Sequence, residues 1–241
     1  MSLTTGEDRK SDGPDQPSRP AGAAQREGKP FWRRPWIIPL WLVTAAFLYL
    51  QAGPFVGTPE AEAQIPAHDG FPAYYPLLIT HISLGTVAMV TCCLQVWPWM
   101  RRRHPAVHRA MGRIYVPATL ISGVCGLIII PFAPVVGQIG AFMSTTLWII
   151  TTLVGFWAVR TGRYVLHRRF MLYSFALVMN NVWGLTMAKI IIGFGIKIDF
   201  TYLGEAARWI GWVVDLMLVQ WFLYRTAKQP VEGPARRRAG A

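Results

Sequence analysis

Apolar residues along this chain form six long runs, separated by short segments that carry most of the charge. The runs cover approximately residues 36–52, 74–99, 114–134, 141–159, 170–193 and 207–224. A helix needs about 20 residues to cross a bilayer core, and backbone polar groups in lipid must find partners within the protein. Runs of this length are too long for barrel strands. The pattern therefore predicts an all-α fold, a six-helix transmembrane bundle over residues 36–225.

Composition favours a membrane protein over a soluble one. The chain has 241 residues, of which 53% are hydrophobic and 15% charged, and its mean hydropathy is +0.31. A soluble domain of this size covers its surface with more charge. The formal net charge of +12 would also fit a nucleic-acid-binding protein. Because the basic residues flank the apolar runs, we exclude nucleic acid and interpret the charge as a topology signal.

The distribution of charge predicts the orientation of the bundle. Arginines cluster before the first run, in segments 101–115 and 160–173, and after the last run. The other connections contain mainly acids, such as Glu60, Glu62 and Asp69, with Lys197 as an exception. Cytoplasmic loops of membrane proteins are enriched in Lys and Arg. We therefore expect both termini in the cytoplasm.

The two ends of the chain differ from the apolar part. Residues 1–35 are rich in Gly, Pro, Ser and mixed charge, which predicts a disordered cytoplasmic tail. Residues 226–241 form a basic cytoplasmic tail. A basic region before the first apolar run is also typical of a cleaved signal peptide. The long tail in front of it favours an uncleaved anchor.

The two internal basic segments resemble each other. Segment 101–115 reads RRRHPAVHRAMGRIY and segment 160–173 reads RTGRYVLHRRFMLY, each with a His-Arg pair, then a Met and a Tyr. We interpret them as cytoplasmic loops that close two helical hairpins. The shared pattern indicates either a parallel internal repeat or only a common need for basic loops. Such loops bind anionic lipid headgroups.

The second run carries a stripe of small and polar residues. At helical spacing this stripe contains His81, Gly85, Ala88, Cys92 and Gln95. Small and polar residues on one face of a membrane helix pack against other helices. His81 is then a hydrogen-bonded interior histidine, a haem or metal ligand, or a proton-relay group.

Two further histidines lie at matching depth near the cytoplasmic side. His108 and His167 are each at the start of a predicted span, and two neutral imidazoles on different helices can serve as axial haem ligands. His81 lies about 20 Å away along the helix axis and would form a separate outer redox or proton-linked site. Haem b is the cofactor that this arrangement favours. The competing interpretation is contact of these loops with lipid headgroups.

Polar residues in the last two runs support a different chemistry. Asp215 lies near the centre of the sixth run, and an ionisable group there indicates function. Asn180 and Asn181 lie at similar depth and are candidate hydrogen-bond partners for it. The fifth run also gives a polar stripe through His167, Met171, Ser174, Asn181 and Lys189. With Gln95, the residues Asp215, Asn180 and Asn181 define a candidate intramembrane polar site.

Other chemistries find no support in the sequence. It contains no P-loop, HExxH, paired CxxC or nucleophile elbow, so it does not indicate an enzyme. Cys92, Cys93 and Cys125 all fall in apolar runs and are expected to be buried small hydrophobes rather than disulfide partners or metal ligands.

Several of these residues together resemble a known family. The pattern is His81 and Gly85, then Gln95, then His-Arg-x-x-Gly-Arg-x-Tyr from His108 to Tyr115, then His-Arg-x-x-Met from His167. It resembles an uncharacterised bacterial family of predicted multi-pass membrane proteins with a domain of unknown function. The resemblance covers about residues 75–220 and implies an inner-membrane protein without an established reaction. The chain departs from the family pattern at Tyr173, near Leu185, and at Asp215 and Gln220.

The sequence leaves three functions open. The leading one is a haem-associated or redox membrane protein that uses His108, His167 and His81. The first alternative is a proton-coupled transporter or small-molecule carrier that uses Asp215, Asn180, Asn181 and His81. The second alternative is a non-catalytic assembly factor that docks through its basic loops. The sequence also leaves a homo-oligomer open.

Overall fold

The computed structural model describes residues 36–59 and 70–227, and every regular element within them is helical. The helices are α1 (Ile37–Gln51), α2 (Tyr74–Val96), α3 (Pro98–Arg103), α4 (Pro105–Ile129), α5 (Gln138–Arg160), α6 (Tyr164–Gly193) and α7 (Phe200–Thr226). Six of these helices, all except α3, are long and apolar enough to cross a membrane. This confirms the six-helix bundle. The predictions for both tails and for Glu60, Glu62 and Asp69 concern residues outside the described ranges.

The bundle is built from neighbouring helices that contact each other in sequence. α2 packs along α4, α4 against α5, α5 against α6, and α6 against α7. α2 also touches α6, and α1 makes only light contacts with α2 and α6. The main core contains Cys93, Tyr115, Trp148, Leu177 and Trp212, from five different helices. α3 and the α5–α6 turn lie at the same end of the bundle, which we call the basic end.

The helices begin earlier at the basic end than their apolar runs do. The apolar run of α4 begins at residue 114, but the helix starts at Pro105, where His104-Pro105 is typical of a helix start. α6 starts at Tyr164 instead of residue 170. The basic segments are therefore mostly helical, and only a short turn joins α5 to α6. Proline fits the first turn of a helix because its missing N–H is not needed there. The pattern of apolar residues did not reveal these turns because they extend beyond the apolar runs.

Proline also divides the second predicted span. Trp97 has an extended backbone (φ −72°, ψ 112°) before Pro98, and His104 has φ −128° and ψ 60° before Pro105. The residue before a proline is disfavoured in the helical region. α2 therefore ends at Val96, and α3 forms a separate short helix. The expected span over residues 74–99 is corrected accordingly.

The opposite end of the bundle is held by two polar caps. Gly137 has φ +79°, and its N–H donates to Glu205 Oε1 at 2.7 Å. α7 begins at Phe200 instead of residue 207, because Asp199 Oδ1 accepts from the Thr201 N–H at 2.7 Å and caps the helix. This hydrogen bond lowers the pKa of Asp199 below its ordinary value.

Candidate functional site

The structure brings His108 and His167 together near the basic end. His108 lies in the first turn of α4 and His167 in the first turn of α6, and both side chains are half-buried. The two imidazoles are close enough to interact electrostatically, and Arg101 lies within range of both. Two histidines that are 59 positions apart thus share one site.

The ring of His167 is oriented by a backbone carbonyl. Its Nδ1 lies 2.8 Å from the Gly155 carbonyl oxygen on α5. Because a carbonyl oxygen only accepts, Nδ1 carries the proton and Nε2 is left with a free lone pair. Gly155 is buried, and a Cβ there would come within 2.7 Å of the Met171 sulfur. Glycine therefore allows α5 and α6 to approach closely enough for this hydrogen bond.

Gln95 belongs to the histidine pair and not to the polar site around Asp215. Its Nε2 donates to the His108 backbone oxygen at 2.7 Å. Two buried polar atoms of this group, Gln95 Oε1 and His108 Nδ1, have no hydrogen-bond partner. The sequence analysis grouped Gln95 with Asp215, Asn180 and Asn181. The structure corrects this, because Gln95 lies at the C-terminal end of α2, which packs on the start of α4. The histidine pair consequently contains unsatisfied polar atoms.

A closed hydrogen-bond network lies one layer deeper in the bundle. Trp148 Nε1 donates to Tyr115 Oη at 3.2 Å, and Tyr115 Oη lies 2.5 Å from Ser174 Oγ. Ser174 Oγ lies 2.6 Å from Thr152 Oγ1, which donates to the Trp148 backbone oxygen at 2.8 Å. Only one direction satisfies every hydroxyl: Tyr115 donates to Ser174, and Ser174 donates to Thr152. The network therefore begins and ends on the same tryptophan.

A third polar layer contains His81. Its Nδ1 donates to the Ser122 carbonyl oxygen at 2.8 Å, and Ser122 Oγ donates to the His81 backbone oxygen at 2.9 Å. A Cβ at Gly126 would lie 3.0 Å from Nδ1, so glycine gives the ring its space. His81 is thus a hydrogen-bonded interior histidine with Nε2 available. It lies about 21 Å from His108 along α4.

The three layers follow a spacing of seven residues on α4. His108, Tyr115 and Ser122 succeed each other at this spacing, as do His167 and Ser174 on α6. Seven residues make almost two turns, so these side chains lie on one face about 10.5 Å apart. Sequence reasoning identified the histidines but not Ser122, Gly126, Gly155 or the Tyr115 network. The seven-residue spacing was the signal that could have found Ser122 and Tyr115.

Asp215 and Asn180 lie in the interface between α6 and α7. Both are 7% exposed, and Asp215 Oδ2 and Asn180 Oδ1 have no hydrogen-bond partner. Asn180 packs directly on Gly211, one turn before Asp215, and Trp183 lies within reach of the Asp215 carboxyl. The expected hydrogen bond between Asp215 and Asn180 is not formed. This interface is a second buried polar site.

Asn181 does not join either site. Its side chain is exposed, as is Lys189, so the polar stripe expected along α6 is buried only as far as Ser174. Ser174 is covered by Tyr115 and Thr152, whereas the later turns of α6 border an open groove shared with α1. The structure therefore separates Asn181 from Asp215.

Gln220 joins α6 and α7 through a side-chain hydrogen bond. Tyr173 Oη on α6 donates to Gln220 Oε1 on α7, and Arg169 Nε donates to Tyr173 Oη at 3.1 Å. Tyr173 and Gln220 lie on the neighbouring helices α6 and α7. They are directly paired by a neutral hydrogen bond.

The part of the chain that the structure describes contains no group of three or more His, Cys, Asp and Glu side chains placed to hold a metal ion. The cysteines Cys92, Cys93 and Cys125 are buried and free. The histidine pair and the Asp215–Asn180 interface are therefore the two candidate sites that the geometry offers for further chemistry.

The fold and its buried polar layers define a multi-pass helical membrane protein. The chain belongs to the family described as predicted membrane protein (DUF2306), whose model matches residues 78–223. The match extends from α2 into α7 and leaves α1 outside. It confirms the resemblance to a predicted membrane protein family with a domain of unknown function. No curated protein and no solved structure matches the chain.

Proposed function

We propose that this protein is a haem-associated redox protein of the bacterial inner membrane, with His108 and His167 as the axial ligands of haem b. The observation that carries the proposal is the placement of two imidazoles on α4 and α6 near one end of the bundle, each seven residues before a partner in the Tyr115–Ser174 hydrogen bond that joins these helices. A haem takes only two ligands from the protein along its axis. A cluster of three or more ligating side chains is therefore not required.

The residues present fit such a ligand in two respects. The Gly155 carbonyl holds Nδ1–H of His167, which fixes the ring and directs the Nε2 lone pair to a ligand, as is usual for metal-bound histidine. His108 Nδ1 is a buried nitrogen without a partner, and such atoms need a group that satisfies them. Haem b bound by this pair would supply one-electron transfer between its ferric and ferrous states.

The surrounding residues have supporting roles in this proposal. Gln95 ties the start of α4 to α2 and thereby positions His108. Arg101 contributes positive charge beside both imidazoles, which suits the carboxylate groups of a haem. His81, held by Ser122, serves as a separate proton-linked site about 21 Å away along the bundle.

The proposal is tested by replacing single histidines. His108→Ala or His167→Ala should abolish haem absorbance in purified protein that is still inserted in the membrane. His104→Ala is the matched control, because His104 lies at the same end but is exposed, with its ring tilted against Trp99 at 4.3 Å between ring centroids. Full absorbance in either of the first two variants would refute the ligand assignment.

We further propose that the basic end faces the cytoplasm and contacts anionic lipid headgroups. The support is the exposure of Arg101, Arg102, Arg103 and Arg160 at that end. Positive charge on loops and helix ends is typical of the cytoplasmic face.

A second candidate function is a proton-coupled carrier centred on Asp215. It is favoured by the unpaired Oδ2 of this buried carboxyl and the unpaired Oδ1 of Asn180 in the same interface. A buried carboxyl without a cationic partner is most stable when it is protonated, so it can take up and release a proton. Asp215→Asn removes that capacity while it preserves the shape of the side chain.

Proton movement can be measured in proteoliposomes that contain the pH-sensitive dye pyranine. Under an imposed membrane potential, the carrier hypothesis predicts proton entry with the native chain and none with Asp215→Asn. Asp199→Asn is the control, because Asp199 is exposed at the opposite end and caps α7. Equal proton entry in the native chain and Asp215→Asn would remove Asp215 from the mechanism.

A further inference from the structure

A groove runs between α5, α6 and α7 towards the basic end, on the face directed to lipid. It has a volume of about 760 Å³ and lies apart from the histidine pair. Its apolar wall consists of Leu147, Leu177, Leu216 and Met217, and Tyr173 and Trp221 also line it. Thr151, Gln220 and Tyr224 complete the lining. The apolar wall accepts hydrocarbon.

Two arginines stand at the margin of this groove. Arg169 Nε donates to Tyr173 Oη at 3.1 Å, and the Arg225 guanidinium lies 4.8 Å from the centre of the Trp221 ring. Both arginines are exposed. The contacts hold the guanidinium groups beside lining residues and leave further N–H donors of each free for an anion.

The charge around the groove favours an anionic occupant. Within residues 36–59 and 70–227 the acidic residues are Asp199, Glu205 and Asp215. Asp199 and Glu205 belong to the opposite end, and Asp215 is buried in the α6–α7 interface. The arginines at the groove therefore have no carboxylate of the described chain beside them.

We propose that this groove binds one anionic phospholipid. The acyl chains lie against the leucines and Met217, and the phosphate is bound by Arg169 and Arg225. A zwitterionic lipid brings its own cation next to the two guanidinium groups and loses part of this attraction. The inference is independent of haem binding, because none of its residues belongs to the histidine pair.

The proposal is tested by native mass spectrometry of the full chain in detergent. Phosphatidylglycerol and phosphatidylcholine with identical acyl chains are titrated separately. The native chain should bind one phosphatidylglycerol more tightly than phosphatidylcholine. Arg169→Gln combined with Arg225→Gln should lower the affinity for phosphatidylglycerol by about 30-fold, because each arginine near a membrane surface contributes a factor of about five.

Two further variants separate charge from shape. Arg109→Gln combined with Arg113→Gln removes the same charge from exposed positions of α4 and should leave the affinity unchanged. Met217→Trp narrows the groove at a position that is 67% exposed, so the core is not disturbed. This variant should lose the bound lipid although both arginines are present.

Several results would overturn the proposal. Equal affinity for the two lipids would show that charge does not select the occupant. Displacement of phosphatidylglycerol by millimolar inorganic phosphate would show a simple anion site that does not bind acyl chains. Extraction of an isoprenoid quinone at one copy per chain, in place of a phospholipid, would assign the groove to a different ligand.

Discussion

At the residue scale, the most completely hydrogen-bonded cluster is the network of Tyr115, Ser174, Thr152 and Trp148. All four side chains are buried, and each hydroxyl both donates and accepts. A satisfied network of this kind fixes the relative positions of α4, α5 and α6. It lies directly beneath the histidine pair and so sets the positions of the two helices that carry it.

Tyr115→Phe should destabilise the protein by about 1–3 kcal/mol, because Trp148 Nε1 is then buried without an acceptor. Thermal unfolding in detergent, followed by intrinsic fluorescence, measures the change. Tyr49→Phe is the control, since Tyr49 is 80% exposed on α1. An equal effect of both substitutions would mean that the network does not stabilise the helix positions.

The sequence predicted the positions of the histidines better than it predicted the residues that hydrogen-bond to their rings. Residue type and depth were sufficient to pair His108 with His167, because both follow from counting residues along helices. Gly155 could not be recognised in the same way. It acts through its backbone carbonyl, which every residue has, and only the packing of two helices decides which carbonyl faces a histidine.

At the element scale, glycines determine how closely α7 approaches its neighbours. A Cβ at Gly184 would lie 3.0 Å from the Ala207 backbone oxygen, and one at Gly140 would lie 3.0 Å from the Arg208 backbone oxygen. A Cβ at Gly211 would collide with Asn180. Small residues at such contacts allow membrane helices to pack tightly. The α6–α7 interface, with Asn180 and Asp215, depends on this approach.

Gly211→Ala should therefore lower stability by about 1–3 kcal/mol, since the added methyl group forces α6 and α7 apart. Gly193→Ala is the matched control, because a Cβ at Gly193 meets no neighbour. Alanine favours a helix over glycine, so the control should be neutral or slightly stabilised. Unfolding midpoints of both variants give the comparison. A stabilised Gly211→Ala would contradict the close packing of these helices.

The existence of the elements was predictable, but some of their boundaries were not. Long apolar runs define the part of a helix that lies in lipid. The first two turns of α4, α6 and α7 contain charged residues (Arg109, Arg168 with Arg169, and Glu205), so hydrophobicity does not mark these turns as part of the helices. Pro105 and Asp199 were the local signals for two of these starts. The exposure of the Asn181 side chain was also not predictable, since it depends on how the neighbouring helices pack around α6 at that position.

At the scale of the whole molecule, the orientation in the membrane decides on which side of the membrane the histidine pair lies. Thr161 lies in the turn between α5 and α6 at the basic end, and Val135 lies between α4 and α5 at the opposite end and is 82% exposed. The positive-inside rule assigns the basic end to the cytoplasm.

Single cysteines at these two positions test the orientation. In intact cells, a membrane-impermeant thiol reagent should label Val135→Cys and not Thr161→Cys. The native cysteines are buried, so labelling of the native chain measures the background. Broken cells should allow both positions to react. Labelling of Thr161→Cys alone in intact cells would place the basic end outside.

The central claim is that His108 and His167 hold haem b, and an absorption spectrum tests it most directly. The full chain is purified in detergent from haem-replete cells, and its spectrum is recorded air-oxidised and then reduced with dithionite. The account predicts a Soret band that shifts on reduction and sharp visible bands in the reduced protein. A featureless spectrum from well-folded protein would contradict the claim, and the Asp215 site would then become the leading candidate for function.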